Sequence, residues 1–176
     1  MESALAQMAD QYFDLQLLVV GRDVAPPMEV HLPNPDEVGA DRLVNSFAAW
    51  GQEPTAQVVV DFGTATTFDA ISGEGHYVGG AIAPGIIVSS EALFETASKL
   101  PRVELARPDS VIGTTTVDSM QSGLTYGYIG LVREIVGRMQ RELGRESRVV
   151  ATGGLAGLLA DESDIVDRID PAPAPS

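Results

Sequence analysis

The stretch VVVDFGTATTFDAIS, residues 58–72, decides how this chain is read. Three consecutive valines form a continuous apolar run, the mark of a strand buried on both faces. The run ends at Asp61 and Gly63 follows at once, so the chain turns there. Beyond the turn, small, hydroxylated and apolar residues alternate, which predicts a second strand returning beside the first. A buried strand that delivers a carboxylate into a Gly/Thr-rich turn makes a cradle for phosphate and its counter-ion. Backbone N–H groups and the hydroxyls of Thr64, Thr66 and Thr67 can donate to phosphoryl oxygens, while Asp61 and Asp69 can hold cations. The same residues fit an ordinary hairpin with an acid at its turn equally well.

Upstream, Leu5, Met8 and Tyr12 recur at helical spacing and predict an amphipathic helix near residues 2–13. Leu15–Val20 and Glu29–Leu32 read as short strands around a Pro26-Pro27 loop. Asn34-Pro35-Asp36-Glu37 is a helix-start signal, and Val44, Phe47 and Ala48 supply the stripe that helix would bury. Asp41 and Asn45 share another face of it, and Asp41 falls where the helix dipole favours an ionised carboxylate. Gly39 and Ala40 leave room for a ligand to approach. On these residues alone, Asp41 reads first as an exposed helix acid paired with a nearby arginine. Gly51–Thr55 reads as a linker and divides residues 1–52 from 53–170.

Downstream, His76–Ala83 predicts a third strand, with Gly79-Gly80 marking a bulge or close backbone approach. Pro84-Gly85 breaks it, and the apolar spacing from Ile86 to Leu100 predicts a helix. Gly113–Thr116 is a second hydroxyl-rich loop, placed before a long helix that closes at Gly144. Val117, Met120, Leu124, Tyr128, Leu131, Ile135 and Met139 are its stripe. Gly123, Gly127 and Gly130 lie on one face; glycine costs about 1 kcal/mol there, which points to close helix packing ahead of a ligand. Arg148–Ala151 predicts another buried strand, then Thr152-Gly153-Gly154 and a helix through Leu159. Thr152 stands where a dinucleotide fingerprint needs its first glycine, so these glycines read as room for a flat group such as adenine. Residues 161–170 are acidic and read as exposed, and 171–176 as a disordered tail.

The chain has 176 residues, 44% of them apolar, enough for one domain or one and part of a second. A formal net charge of −14 argues against nucleic acid, whose phosphates need clustered Lys and Arg. The absence of cysteine removes disulfides, thiolate metal sites and cysteine nucleophiles. No run approaches the ~18 apolar residues of a membrane span, and the opening lacks a basic leader, which together predict a cytoplasmic protein.

GADRLVN (39–45), VVVDFGTATTFD (58–69), GGAIAPGI (79–86), LPRVEL (100–105), VIGTTTVDSMQSGLTYG (111–127) and ATGGLA (151–156) occur in one order. Together they resemble type III pantothenate kinase, of the acetate and sugar kinase/Hsc70/actin superfamily, over about residues 4–170. The resemblance implies an α/β, ribonuclease H-like (actin-like ATPase) fold, a mixed sheet with flanking helices. It implies ATP-dependent phosphorylation of pantothenate, the first committed step of coenzyme A synthesis.

Asp41 then matches the general base, and Gly39, Ala40, Asp41, Arg42 and Thr116 the pantothenate-binding residues. Asp61 matches the acid that holds a monovalent cation, K+ or NH4+, and Mg2+ accompanies ATP. Gly63, Thr64, Gly153 and Gly154 fall on the ATP side, and family members are typically homodimers. Three departures stand out. The family's opening hairpin, Asp-x-Gly-Asn-Thr, has no counterpart here, PAPAPS replaces its last helix, and Leu32 stands where a tyrosine often contacts pantothenate. The expectation is a first domain that is incomplete and an activity impaired for that reason. The alternative is a non-catalytic dimeric binding or regulatory protein derived from the same kinases.

Overall fold

Val58, Val59 and Val60 are buried at the centre of a five-stranded mixed sheet, as their apolar run predicts. A computed structural model describes residues 2–157 and 164–170. Strand β1 (Gln57–Phe62) pairs antiparallel with β2 (Ala65–Ile71), which pairs antiparallel with β3 (Tyr77–Pro84). On its other side β1 runs parallel to β4 (Arg148–Thr152), which runs parallel to β5 (Arg168–Ile169). The order is β3-β2-β1-β4-β5. The register slips between Ala70 and Ile71, opposite Gly79 and Tyr77, the irregularity that Gly79-Gly80 predicts. The segment read as an exposed acidic tail instead supplies β5, an edge strand. Asp167 secures it by accepting from the Val149 amide at 2.7 Å.

Because strand side chains alternate, β1 sends Val58, Val60 and Phe62 to one face and Gln57, Val59 and Asp61 to the other. The first face is covered by the long helix α4 (Thr116–Leu143), whose Leu124, Tyr128, Val132 and Val136 complete a core with Phe68 and Val149. Between them the chain follows α1 (Glu2–Phe13), α2 (Ala40–Gln52), α3 (Ile86–Thr96) and α4 (Thr116–Leu143). A capping box of Thr115 and Asp118 opens α4, and Gly144 closes it at φ 119°. The second face is covered by α2, through a smaller cluster of Ala49, Val59, Ile71 and Val150 with Trp50 alongside. A Cβ at Gly123, Gly127 or Gly130 would meet nothing within 4 Å among the described residues, so the close helix packing expected of them is not made there.

Four expectations change. The helix-start signal at Asn34 yields only a 3-10 turn over Pro35–Glu37, and α2 begins at Ala40 with Gly39 as N-cap. Helix α3 stops at Thr96, short of Leu100: Ala97 is extended, and Leu93, 40% exposed, offers little burial to hold another turn. The segments read as strands at 15–20 and 29–32 make only single bridges, Val20 to Val24 and Val30 to Tyr77. Finally, Val44, Phe47 and Ala48 lie on the exposed side of α2, and the residues turned to the sheet are Arg42, Asn45, Ser46 and Ala49. The sheet beneath α2 displays carboxylates, so the helix answers with donors. Helix α1 forms as its spacing predicts, yet Leu5, Met8 and Tyr12 are all at least half exposed. The latter part of the helix expected after Gly154 and the tail at 171–176 lie outside the described residues.

Candidate active site

Two carboxylates rise from the sheet into the space under α2. Asp61 is next to last in β1 and Asp69 sits on β2; both belong to the α2 face, since Asp61 is paired with Thr67 and Val59 with Asp69. Asn45, one turn after Asp41, donates its amide to Asp61 Oδ2 at 2.9 Å. Burial pushes the Asp61 carboxyl above its ordinary value; Asn45 opposes this, and the negative charges of Asp41 and Asp69 add to it. The charges of Asp41 and Asp69 are therefore felt at Asp61, and Asp41 itself is exposed. Asp41 stands in the first turn of α2 and, among the described residues, enters no ion pair.

Asp69 is fully buried and answered by several donors. Arg42 Nε donates to its Oδ1 at 2.8 Å, with Nη2 2.6 Å from the same oxygen. The Tyr77 hydroxyl donates to Oδ1 at 2.8 Å, and Thr67 Oγ1 to Oδ2 at 3.2 Å. The net direction is still upward, because burial of the carboxylate outweighs these donors. Burial and the charge of Asp69 likewise push the Tyr77 phenol up. A side chain at position 80 would meet the Phe68 carbonyl and Arg42 Nη2 at 2.1 and 2.5 Å, so only glycine lets the guanidinium reach Asp69. Arg42, Tyr77, Gly80, Leu32, Asn34 and Glu37 then border an open groove of about 500 Å³.

Several expected roles move. Thr66 is buried, bonded to the Tyr128 hydroxyl, which also donates to the Pro84 carbonyl at 2.9 Å, so it faces α4 and not a phosphate. Thr67 serves Asp69. Of the three hydroxyls assigned to phosphate, only that of Thr64 is exposed at the turn, beside Gly63. Asp69, read as a cation holder, is occupied by Arg42; Asp61 keeps the freer carboxylate. The expected pairing of Asp41 with an arginine is replaced by the Arg42–Asp69 pair.

Gly39 makes room for Asp41 itself, whose Oδ1 would lie 2.5 Å from an added Cβ. Ala40 turns its methyl toward Gly21, away from the acids. Gly153 follows β4 at φ +93°, and a Cβ there would lie 2.5 Å from Asp61 Oδ1, so this glycine seats the carboxylate; Gly154 faces open space. Thr116 is not brought to the acids. It opens α4 on the other face of the sheet, about 18 Å of helix before Tyr128.

Asn45, Tyr77 and Gly80 complete the site without having been singled out as functional. Asn45 carried a signal, its four-residue spacing from Asp41; Tyr77 reaches Asp69 only through the β2–β3 register.

The family model for type III pantothenate kinase matches residues 1–138. The chain belongs to the type III pantothenate kinase family. It is 52% identical over 166 residues to the type III pantothenate kinase of Geotalea daltonii, covering 94% of this chain and 65% of that protein. It is 54% identical over 170 residues to that of Myxococcus xanthus, covering 97% and 66%. The chain thus spans just under two thirds of the length of these relatives. Among solved structures, a Baf family protein from Campylobacter jejuni superposes with a TM-score of 0.55 at 24% identity, over 82% of this chain and 62% of that one. This last likeness concerns the fold alone, and it agrees with the mixed sheet and flanking helices of the actin-like ATPase fold expected from the family's motif blocks. In family terms the GADR block opens α2, and the VVVDFGTATTFD block is the β1–β2 hairpin beneath it.

Proposed function

We propose that this chain carries the acceptor and cation side of an ATP-dependent pantothenate kinase, with Asp41 as the general base. The supporting observation is the Asp41 carboxylate, unpaired among the described residues, at a helix N-terminus and within electrostatic reach of the part-buried Asp61–Asn45 pair. Phosphoryl transfer to an alcohol passes through a loose transition state, so positioning and charge neutralisation dominate and a carboxylate suffices as base. Asp41 would take the proton of the attacking hydroxyl. Arg42, fixed by Asp69 and Tyr77, would hold the acceptor in the groove, and Gly39 keeps the base free to turn.

The donor set suits a hard cation. Asp41, Asp61 and Asp69 outnumber the single guanidinium of Arg42, all their donors are oxygen, and Asp61 is left with a half-buried carboxylate. Asp61 would hold K+ or NH4+, with Mg2+ arriving on ATP; bound there, these ions offset charge on the transferred group. The Gly63-Thr64 turn, and Gly154 with its open approach, would face the nucleotide. The glycine face of α4 supports a homodimer. Among the described residues no helix is long and apolar enough to cross a membrane, which accords with a cytoplasmic enzyme.

The test is phosphopantothenate formation by the purified chain with ATP, pantothenate, Mg2+ and K+. Asp41→Asn should lower kcat by about 10²–10⁴-fold with the fold intact. Equal turnover by the variant overturns the base assignment. The exposed glycine face of α4 also favours a second reading, a dimeric binding protein without catalysis. A stable dimer that shows no heat of ATP binding in calorimetry would select it.

A further inference from the structure

The chain has two histidines, 45 residues apart, and the fold brings them together with ring centroids 4.1 Å from one another and planes tilted by 39°. The cause is the bridge between Val30 and Tyr77. The His31 amide donates to the Tyr77 carbonyl, and the Tyr77 amide to the Glu29 carbonyl, each at 2.8 Å. In a parallel bridge the paired residues share a side, so their neighbours Glu29, His31 and His76 emerge together on the other. His76 is fixed further by the turn before it, where its carbonyl accepts from the Ser72 amide at 2.9 Å.

Glu29 Oε2 lies 3.2 Å from His31 Nε2 and 3.5 Å from His76 Nε2, and the three ligand atoms all fall within 4.8 Å of one another. Ligands on a tetrahedral ion with bonds of about 2.0–2.1 Å stand about 3.3–3.4 Å apart. The two spacings from Glu29 to the imidazoles bracket that value. From this geometry we propose that Glu29, His31 and His76 form a site for a borderline divalent metal of the zinc class, with water as fourth ligand. Two imidazoles and one carboxylate select Zn2+, Co2+ or Ni2+ over the Mg2+ and Ca2+ that prefer all-oxygen shells.

The site is separate from the acids beneath α2. Its position gives the ion a physical consequence: it would staple the segment carrying Leu32 to the start of β3, where Tyr77 holds Asp69. Binding to the folded state alone raises stability by mass action, so occupancy is readable without any activity assay.

Tag-free full chain should take up one Zn2+ by calorimetry and one Co2+ with ligand-field absorption bands, and Zn2+ should raise its Tm reversibly with EDTA. His31→Ala and His76→Ala should each weaken binding by at least about tenfold and remove the Tm shift. Glu29 is 74% exposed, so Glu29→Gln tests the same site in a variant that keeps the fold, verified by circular dichroism. Mg2+ in place of Zn2+ should leave Tm unchanged. The proposal fails if the chain takes up neither metal, or if the His31→Ala/His76→Ala double variant binds as the original does.

Discussion

The two faces of one sheet are built on opposite plans. On the α4 face, Val58, Val60, Phe62 and Phe68 meet Leu124, Tyr128, Val132 and Val136 in a nearly unbroken apolar core. On the α2 face the apolar cluster is smaller, Ala49, Val59, Ile71 and Val150 with Met28 and Trp50 alongside, and beside it stand Asp61, Asp69, Arg42, Asn45, Ser46 and Gln57. The same strands supply both, because alternate residues point opposite ways. One face is chosen for burial and gains stability. The other carries buried carboxylates that oppose burial, the arrangement expected where charge is needed for chemistry.

Substitutions should separate the faces. Phe68→Ala strips a fully buried ring from the α4 face and should cost about 3–5 kcal/mol by urea denaturation. Next, Arg42→Ala leaves Asp69 buried beside Tyr77 and Thr67 alone. Breaking a buried pair costs about 3–5 kcal/mol, and the 16% exposure of Arg42 places this one near 3. Arg42→Met with Asp69→Asn should recover most of that loss, since no unpaired charge remains. A full loss in the double variant would mean that the α2 face is held by shape and not by charge.

Gly153→Ala should cost about 1–3 kcal/mol, because the backbone there has positive φ and the new methyl would press on Asp61. Asp61→Asn should act in the opposite direction. The folded carboxyl lies above 3.8, so the folded state binds its proton more tightly than the unfolded one. The resulting stability is present at low pH and declines as pH rises from about 3.8 through the raised value. Above that window the wild-type chain carries an ionised, half-buried acid, and the amide variant should melt at a higher temperature while losing the proposed activity. An unchanged Tm in the neutral range would show that Asn45 alone compensates the charge. Gly154→Ala faces open space and should change stability by less than about 0.5 kcal/mol.

Much of the α4 face was legible beforehand. The valine run, the 28-residue stripe of α4 and its stop at Gly144 follow from periodicity and chirality, which act over a few residues. The hairpin at Gly63 and the bulge near Gly79 were legible for the same reason. The α2 face misled. Val44, Phe47 and Ala48 read as the stripe the helix would bury, yet the helix rotates them outward so that Asn45 and Arg42 can meet Asp61 and Asp69. A hydrophobic stripe predicts which side is buried only when the opposing surface is apolar too.

By itself, then, the sequence determined strands β1 to β4, the long helix and the turn carrying Asp61, because each depends on neighbours close in the chain. It also marked Asp41 and Asn45 as residues of one helix face. Only the tertiary structure decided that Thr66 serves Tyr128, that Asp69 is held by Arg42, and that Gly153 seats Asp61. It also decided that two distant histidines meet over Glu29. Those pairings rest on strand register and on how α2 is rotated against the sheet, quantities set by contacts between segments far apart in the chain.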